Sequence, residues 1–209
     1  MQAWLCEDPT GVDALTWKEL PTPTPGPGQV LIQIQAASLN FPDLLIVQNK
    51  YQMKPELPFV PGSEYAGVVQ ALGEGVKHLK VGQTVACLSG TGGFGTHTLA
   101  PAKLCMPLPD GFSAIDGAAF IMTYATSHHA LVDRAALKAG ETVLVLGAAG
   151  GVGTAAIQIA KAMGAKVIAA ASTDEKCALC TALGADATIN YGRENLREAL
   201  KTLTEGRGP

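Results

Sequence analysis

The sequence predicts two domains, a β domain followed by an α/β domain with a parallel sheet. In the first half, short strand-like segments are separated by turns, in a chain that holds 24 Gly and 13 Pro. From residue 140 onward, strand-like and helix-like segments alternate. At the start of this alternating part, VLVLGAAGGVGTAAIQIAKAMG (143–164) joins an apolar strand to a helix through a Gly-rich turn. We place the two domains at residues 1–122 and 123–209.

The composition is that of an ordinary globular chain of 209 residues, 47% hydrophobic and 16% charged, with a formal net charge of -3. This weakly acidic balance, without a basic stripe, argues against a nucleic-acid partner. No segment reaches the roughly 18 uninterrupted apolar residues of a membrane span, and the first residues do not resemble a secretory signal. Five cysteines without a regular framework favour reduced thiols. We therefore expect a cytoplasmic protein.

Period-two patterns predict the strands of the first domain. In QVLIQIQAASLN (29–40), apolar and more polar residues alternate, as in a strand with one buried face. EYAGVVQALGEGV, VGQTVACLS and GTHTLAPAKLCMPLP are predicted as further strands, and TPTPGPGQ (22–29) as a rigid turn. Many short strands joined by Gly and Pro are typical of a small barrel.

Helical spacing begins in SAIDGAAFIMTYATSHHALVDRAAL (113–137), where Ser113 stands at an N-cap position. The segments that follow supply three strands alternating with helices, which predicts a parallel sheet with crossover helices. In a doubly wound sheet of order 3-2-1-4-5-6, three strands alone would leave strand 1 as an exposed edge. We therefore expect a further C-terminal segment, the alternative being a three-stranded mini-domain.

The Gly-rich turn has the pattern of a dinucleotide-binding loop with one departure. Such a loop uses its first glycine for the tight turn, its second for close approach to the pyrophosphate and its third for helix–strand packing. Gly150 and Gly153 occupy the second and third places, whereas Ala148 stands at the first. Gly151 and Val152 lie between the two glycines. Because the loop follows a strand and opens a helix, we predict a cofactor site and not merely a tight turn.

The end of the second strand of this domain indicates which dinucleotide is bound. An NAD site usually carries Asp or Glu about 20 residues after the loop, to bind the ribose hydroxyls. Ser172 stands there, and its hydroxyl can donate to a phosphate that a carboxylate would repel. Lys176, one helical turn later, can reach the same place, although it is alternatively an ordinary solvated lysine. We therefore predict NADPH as the cofactor.

Six motifs together resemble the zinc-free, zeta-crystallin-like quinone oxidoreductases of the medium-chain dehydrogenase/reductase superfamily. They are SLNFPDLLIVQNKY, LPFVPGSEYAGVV, LKVGQTV, AAFIMTYATSHHAL, LVLGAAGGVGTAAIQIAKAMGAKVI and GADATINY. The resemblance covers essentially the whole chain. It implies a GroES-like barrel domain followed by a Rossmann doubly wound sheet, apparently truncated at the C-terminus. It also implies a homodimer when the protein is full length.

The resemblance argues against a metal. Asn40 and Ser63 stand where the zinc-dependent alcohol dehydrogenases place a cysteine and a histidine, and neither side chain is a good zinc ligand. Cys177 and Cys180 form a single CxxC on a predicted helix, which fits packing of small apolar thiols better than a four-ligand zinc site. We therefore expect no metal. Glu64 is expected to be a partly buried structural carboxylate held by a partner that the sequence does not identify.

Without a zinc Lewis acid, alcohol oxidation is disfavoured, and hydride transfer from NADPH to a quinone or an α,β-unsaturated carbonyl is expected. The resemblance implies that Asn40 and Tyr51 line the substrate cleft, that Thr123 contacts the nicotinamide and that Tyr191 joins the 2′-phosphate site. Asn40 is alternatively a helix cap, and Tyr51 a surface loop residue. Two other functions remain open: an enoyl-thioester reductase, and a non-catalytic NADPH-binding protein with a crystallin-like or sensor role.

Overall fold

The computed structural model describes all residues, Met1–Pro209, and the chain divides into two compact units, Met1–Met122 and Thr123–Pro209. The first unit contains only antiparallel strand pairs, and the second contains a parallel sheet with helices. The predicted fold class, a β domain followed by an α/β domain, is therefore confirmed. None of the helices is both long enough and apolar enough to span a bilayer.

Seven strands form two antiparallel sheets in the first unit. They are β1 (Gln2–Leu5), β2 (Thr16–Glu19), β3 (Gln29–Ala37), β4 (Glu64–Leu72), β5 (Thr84–Leu88), β6 (His97–Pro101) and β7 (Cys105–Pro107). β1 pairs with β2, and the other five form a sheet in the order β6-β3-β4-β5-β7. The strands β6 and β7 are thus the edges of the larger sheet.

The alternation predicted for residues 29–40 positions the main core of the first unit. Val30 and Ile32 of β3 are buried, whereas Gln33 is exposed. Val30 and Ile32 pack in one apolar cluster with residues of β4 and β5, among them Tyr65 and Val85. A Cβ at Gly67 of β4 would lie 2.1 Å from the Gln33 carbonyl oxygen, so only glycine permits this approach of β4 to β3.

Short helices connect the strands of the first unit. Two 3₁₀ turns cover Val12–Ala14 and Ala102–Leu104, α1 covers Phe41–Ile46 and α2 covers Ala114–Ala118. Ser113 caps α2 as the sequence predicts, since its Oγ accepts a hydrogen bond of 3.1 Å from the Asp116 N–H.

The helix predicted over 113–137 is not continuous. After α2, π-helical turns cover Ile121–Ala125 and His129–Arg134, on either side of the short α3 (Thr126–His128). In the second π turn, the Ala135 N–H donates to the carbonyl of Ala130, five residues earlier. Apolar periodicity distinguishes a helix from a strand but does not resolve this wider hydrogen-bond pattern.

The second unit alternates strands and helices around a three-stranded parallel sheet. Its elements are β8 (Thr142–Leu146), α4 (Gly151–Ala162), β9 (Lys166–Ala171), α5 (Asp174–Ala182), β10 (Ala187–Asn190) and α6 (Leu196–Leu203). The order β10-β9-β8 is the predicted 3-2-1 arrangement, and β9 is central and almost wholly buried. β8 pairs with β9 alone and is an edge, with the Leu146 side chain 61% exposed.

Candidate functional site

The turn between β8 and α4 is held in a fixed shape by its backbone. Gly147 has a φ of +59°, a conformation that favours glycine, and its carbonyl accepts a hydrogen bond of 3.0 Å from the Gly150 N–H. The Ala148 N–H donates to the Ala170 carbonyl of β9 at 3.1 Å, which attaches the turn to the sheet. Gly150 is the N-cap residue of α4, so the N–H groups of this 12-residue helix that lack an intrahelical partner begin at Gly151.

Small residues let α4 approach the turn closely. A Cβ at Gly153 would lie 2.6 Å from the Ala148 Cα, closer than real Cβ contacts allow. The Ala148 side chain is fully buried, while the Val152 side chain is about half exposed. A Cβ at Gly151 would lie 2.9 Å from the Thr123 Cγ2, so Thr123 lies against the first turn of α4.

A cavity of about 150 Å³ opens beside this turn, at the carboxyl ends of β8 and β9. Lys176 Nζ donates a hydrogen bond of 3.2 Å to Ser172 Oγ, so the two predicted phosphate-binding side chains meet. Tyr191 lines the same cavity. The lining residues are Gly147, Ala149, Gly150, Ala171, Ser172, Lys176 and Tyr191.

The electrostatics of this cavity favour an anion. Lys176 is the only charged residue among those that line it. Asp174, the nearest acidic candidate from the sequence, is the first residue of α5, and its carboxylate accepts hydrogen bonds of 2.8 Å from Asn190 Nδ2 and from Arg193 Nη1. At Glu175, hydrogen bonds from the first turn of α5 lower the pKa of the carboxyl group. Both carboxylates are therefore engaged in hydrogen bonds at or near the start of α5.

The cavity therefore fits a phosphate group. Its side-chain donors are two hydroxyls and one ammonium, it lies beside the start of α4, and none of its lining residues carries a carboxylate. Sequence reasoning had not included Gly147, Ala149 and Ala171 in this wall. Ala171 ends β9, and Gly147 and Ala149 lie in the turn after β8, so the predicted strand ends could have indicated these positions.

In the first unit, Asn40 belongs to a partly buried polar network around Glu64. Asn40 Nδ2 donates to Ser38 Oγ at 2.9 Å and to Glu64 Oε2 at 3.2 Å. Ser38 Oγ also donates to Glu64 Oε2 at 2.6 Å, and the Met122 N–H donates to Glu64 Oε1 at 2.8 Å. The expectation that Glu64 is only partly buried is wrong, because the residue is fully buried, and Ser38, Asn40 and Met122 donate to its carboxylate.

Asn40 both caps α1 and takes part in the Glu64 network. Asn40 is the N-cap residue of α1, and its backbone N–H donates to Asp43 Oδ2 at 2.9 Å. Its side-chain amide, however, is directed to Ser38 and Glu64. Asp43 thus contributes to the cap of α1, and the Asn40 amide nitrogen contributes to the Glu64 network.

The residues at the positions compared with zinc ligands are engaged in hydrogen bonds. Ser63 is buried, and its N–H and Oγ lie 2.8 Å and 2.5 Å from Asp43 Oδ1. No three His, Cys, Asp or Glu side chains in the chain lie close enough together to hold a metal ion. Cys177 and Cys180 are both buried in α5, and burial raises the pKa of the Cys180 thiol.

Tyr51 lies in the loop that follows α1 and is half buried. Its ring packs against a small apolar cluster that contains Cys6, Ile46, Val47 and Phe59. Asn40 and Tyr51 thus stand before and after α1 in the first unit, whereas Thr123 and the cofactor-binding candidates belong to the second unit.

Comparison with known proteins finds a matching protein family for part of each unit. The Alcohol dehydrogenase GroES-like domain matches residues 26–110, and the Zinc-binding dehydrogenase family matches residues 151–209. The chain is 40% identical over 182 residues to the Quinone oxidoreductase-like protein 2 homolog of Nematostella vectensis, covering 86% of the chain and 50% of that protein. It thus spans about half the length of that curated relative.

Two solved structures are similar over almost the whole chain. A probable oxidoreductase from Mycobacterium abscessus superposes with a TM-score of 0.92 at 39% identity, covering 100% of this chain and 67% of that one. The quinone oxidoreductase from Thermus thermophilus, also solved in complex with NADPH, gives a TM-score of 0.85 at 37% identity, covering 98% of this chain and 64% of that one.

Proposed function

The chain belongs to the quinone oxidoreductases of the medium-chain dehydrogenase/reductase superfamily, and from that premise we propose that the whole protein is an NADPH-dependent oxidoreductase. Its reaction is hydride transfer to a quinone or an α,β-unsaturated carbonyl, without zinc. The observation that carries the proposal is the cavity at the carboxyl ends of β8 and β9, where Ser172, Lys176 and Tyr191 surround space for a phosphate.

The second unit binds the cofactor in this proposal. The N–H groups at the start of α4, in the turn from Ala148 to Gly153, hold the diphosphate. Ser172, Lys176 and Tyr191 hold the 2′-phosphate that distinguishes NADPH from NADH. The NADPH complex of the Thermus thermophilus relative supports this choice of cofactor.

Thr123, beside Gly151, contacts the nicotinamide. The bound dihydronicotinamide supplies the hydride, and the protein orients the acceptor and stabilises the oxygen that gains charge. We assign the orienting role to the Asn40 amide, whose position Glu64 and Ser38 fix by hydrogen bonds. We assign donation of a hydrogen bond or proton to the Tyr51 hydroxyl.

Two observations support a reaction without zinc. Asn40 offers an amide and Ser63 a hydroxyl, neither of which replaces thiolate or imidazole as a zinc ligand. Ser63 Oγ is in addition held by Asp43, at 2.5 Å. Quinones and enones are already electron-poor, so they accept hydride without a Lewis acid.

We also propose that the protein acts in the cytoplasm and that the full-length form is a homodimer. The five free cysteines support a reducing compartment. Light scattering during size-exclusion chromatography of the full-length protein measures the number of subunits, and a monomer would contradict the second assignment.

The test of the proposed function combines cofactor preference with turnover. Lys176→Ala removes the one cation of the cavity, and we expect the preference for NADPH over NADH to fall by about ten- to hundredfold, since a charge-assisted hydrogen bond contributes roughly 1.5–3 kcal/mol. Titration calorimetry with both cofactors measures this change. Lys201→Ala, on the exposed side of α6, is the matched control and should leave the preference unchanged.

Turnover of the full-length protein then distinguishes the activities. NADPH oxidation with 1,4-benzoquinone supports the proposed reaction, whereas consumption of a crotonyl thioester supports an enoyl-thioester reductase. Binding of NADPH without either reaction would indicate a non-catalytic protein. No binding of NADPH, or stoichiometric zinc in elemental analysis, would contradict the proposal.

A further inference from the structure

The core of the first unit holds two thiols that the proposed reaction does not use. Cys87 on β5 and Cys105 on β7 are directly opposite in the antiparallel ladder, so both side chains point to the same face. Both are buried, and each thiol shifts the pKa of the other. The sequence separation of these cysteines does not suggest a pair, because only the strand pairing brings them together.

The register of the ladder sets the spacing of this pair. The Leu108 N–H donates to the Thr84 carbonyl at 3.0 Å, so these opposite residues form a hydrogen-bonded pair. Because the two kinds of pair alternate along an antiparallel ladder, Cys87 and Cys105 form a non-hydrogen-bonded pair. The Cα atoms of such a pair lie about 4.5 Å apart, within the range of about 4.4–6.8 Å that a disulfide spans.

The two thiols differ in acidity. A hydrogen bond from the Cys105 thiol lowers the pKa of the Cys87 thiol against the opposing effect of burial. The same hydrogen bond, together with burial, raises the pKa of Cys105. Because a thiolate is the nucleophile in thiol–disulfide exchange, Cys87 is the attacking residue and Cys105 the resolving one.

The strand that carries Cys105 is a short strand at the edge of the larger sheet. β7 has three residues and pairs with β5 alone at the edge of the larger sheet. The neighbouring Met106 side chain is 46% exposed. Short edge strands open locally at low free-energy cost, which gives a small reagent access to the pair.

We propose that Cys87 and Cys105 form a reversible dithiol–disulfide site whose substrate class is small-molecule disulfides, represented by oxidised glutathione. The Cys87 thiolate attacks one sulfur of the reagent and releases one glutathione thiolate. Cys105 then loses its proton and attacks the Cys87 sulfur in the mixed disulfide, which releases a second glutathione. Two protein thiols are oxidised, and one small disulfide is reduced to two thiols.

The other close cysteine pair provides the internal control. Cys177 and Cys180 stand one turn apart on α5, and both are buried. Burial raises the pKa of the Cys180 thiol, so this thiol has little nucleophilic thiolate. We therefore expect exchange to be selective for the cross-strand pair.

The test is peptide mapping of the wild-type 209-residue chain after incubation with oxidised glutathione and alkylation of the remaining thiols. We expect the main linked peptide to join Cys87 to Cys105, and dithiothreitol to separate it. The oxidised chain should unfold about 5 °C higher than the reduced chain, because the new bond closes the loop that contains β6. No linked peptide, or linkage only between other cysteines, would overturn the proposal.

Variants assign the two roles. In Cys105→Ala, glutathione should accumulate on Cys87 as a lasting mixed disulfide, whereas Cys87→Ala should reduce glutathione uptake at this site at least tenfold. Cys6→Ala, which removes a buried cysteine elsewhere in the first unit, should form the Cys87–Cys105 link as the wild type does. Equal uptake in the Cys87 and Cys105 variants would refute the assigned order of attack.

Discussion

At the scale of single residues, Glu64 shows how much of a polar site can be read from sequence. Its structural role was predictable, because an acidic residue inside an apolar strand must be paired if it is buried. Its donors were not predictable. Ser38 and Asn40 come from the end of β3 and the start of α1, and the Met122 N–H lies 58 positions away along the chain. Only the tertiary fold brings these groups to one carboxylate.

Replacing Glu64 with glutamine should destabilise the first unit with little change in shape. Three donors face the carboxylate, and a glutamine amide offers one acceptor oxygen and places an N–H group against a donor. We expect the free energy of unfolding to fall by about 2 kcal/mol, the cost of leaving a buried polar group unsatisfied. Urea denaturation measures it.

Glu74→Gln is the matched control, because Glu74 is exposed and follows the same strand. Its free energy of unfolding should stay within about 0.5 kcal/mol of the wild type. If Glu64→Gln were as stable as this control, the network would not hold Asn40 in place, and the positioning role given to Glu64 would be wrong.

At the scale of elements, the sequence specified the strands and the βα turn but not the wider helical turns. Alternation of apolar residues predicted β3, and the Gly-rich turn after β8 predicted the start of α4. The sequence did not predict the π turns at Ile121–Ala125 and His129–Arg134, because i→i+4 and i→i+5 helices have nearly the same apolar spacing.

Two glycines of the βα turn should respond differently to alanine. A Cβ at Gly153 would lie 2.6 Å from the Ala148 Cα, so Gly153→Ala must displace α4 and should lower the free energy of unfolding by about 1–3 kcal/mol. A Cβ at Gly150 would lie 3.4 Å from the Gly147 oxygen, an ordinary contact. Gly150→Ala should therefore leave stability nearly unchanged but weaken NADPH binding, since Gly150 lines the cavity.

Chemical denaturation and NADPH titration of the same two variants separate these effects. Equal losses of stability in Gly153→Ala and Gly150→Ala would contradict the close approach of Gly153 to Ala148. Unchanged NADPH affinity in Gly150→Ala would indicate that the cofactor does not touch this side of the helix start.

At the scale of the whole molecule, stability in acid should depend on an ion pair of the second unit. Asp186 accepts hydrogen bonds from Lys161 Nζ at 2.8 Å and from the Val167 N–H at 2.7 Å. Both hydrogen bonds lower the pKa of the Asp186 carboxyl group, and the one from Lys161 has the larger effect. A lowered native pKa stabilises the fold above the unfolded pKa of about 3.9, and that stabilisation is lost as pH falls through the native value.

We therefore expect Asp186→Asn to flatten the decline of the free energy of unfolding below about pH 4, and to reduce that free energy at neutral pH. Urea denaturation across this range measures both effects. Asp110→Asn, at an exposed position of the first unit, should follow the wild-type curve. A wild-type slope in Asp186→Asn would show that the contacts to Lys161 and Val167 do not couple protonation to folding.

The unpaired side of β8 has a consequence for how the 209-residue chain behaves in solution. Its outer backbone groups have no neighbouring strand, and no charged side chain within Thr142–Leu146 discourages another strand from docking there. Molecules of this chain should associate through the unpaired edge of β8 as the protein concentration rises. Scattered-light intensity would then climb faster than protein concentration, even under conditions where each molecule stays folded.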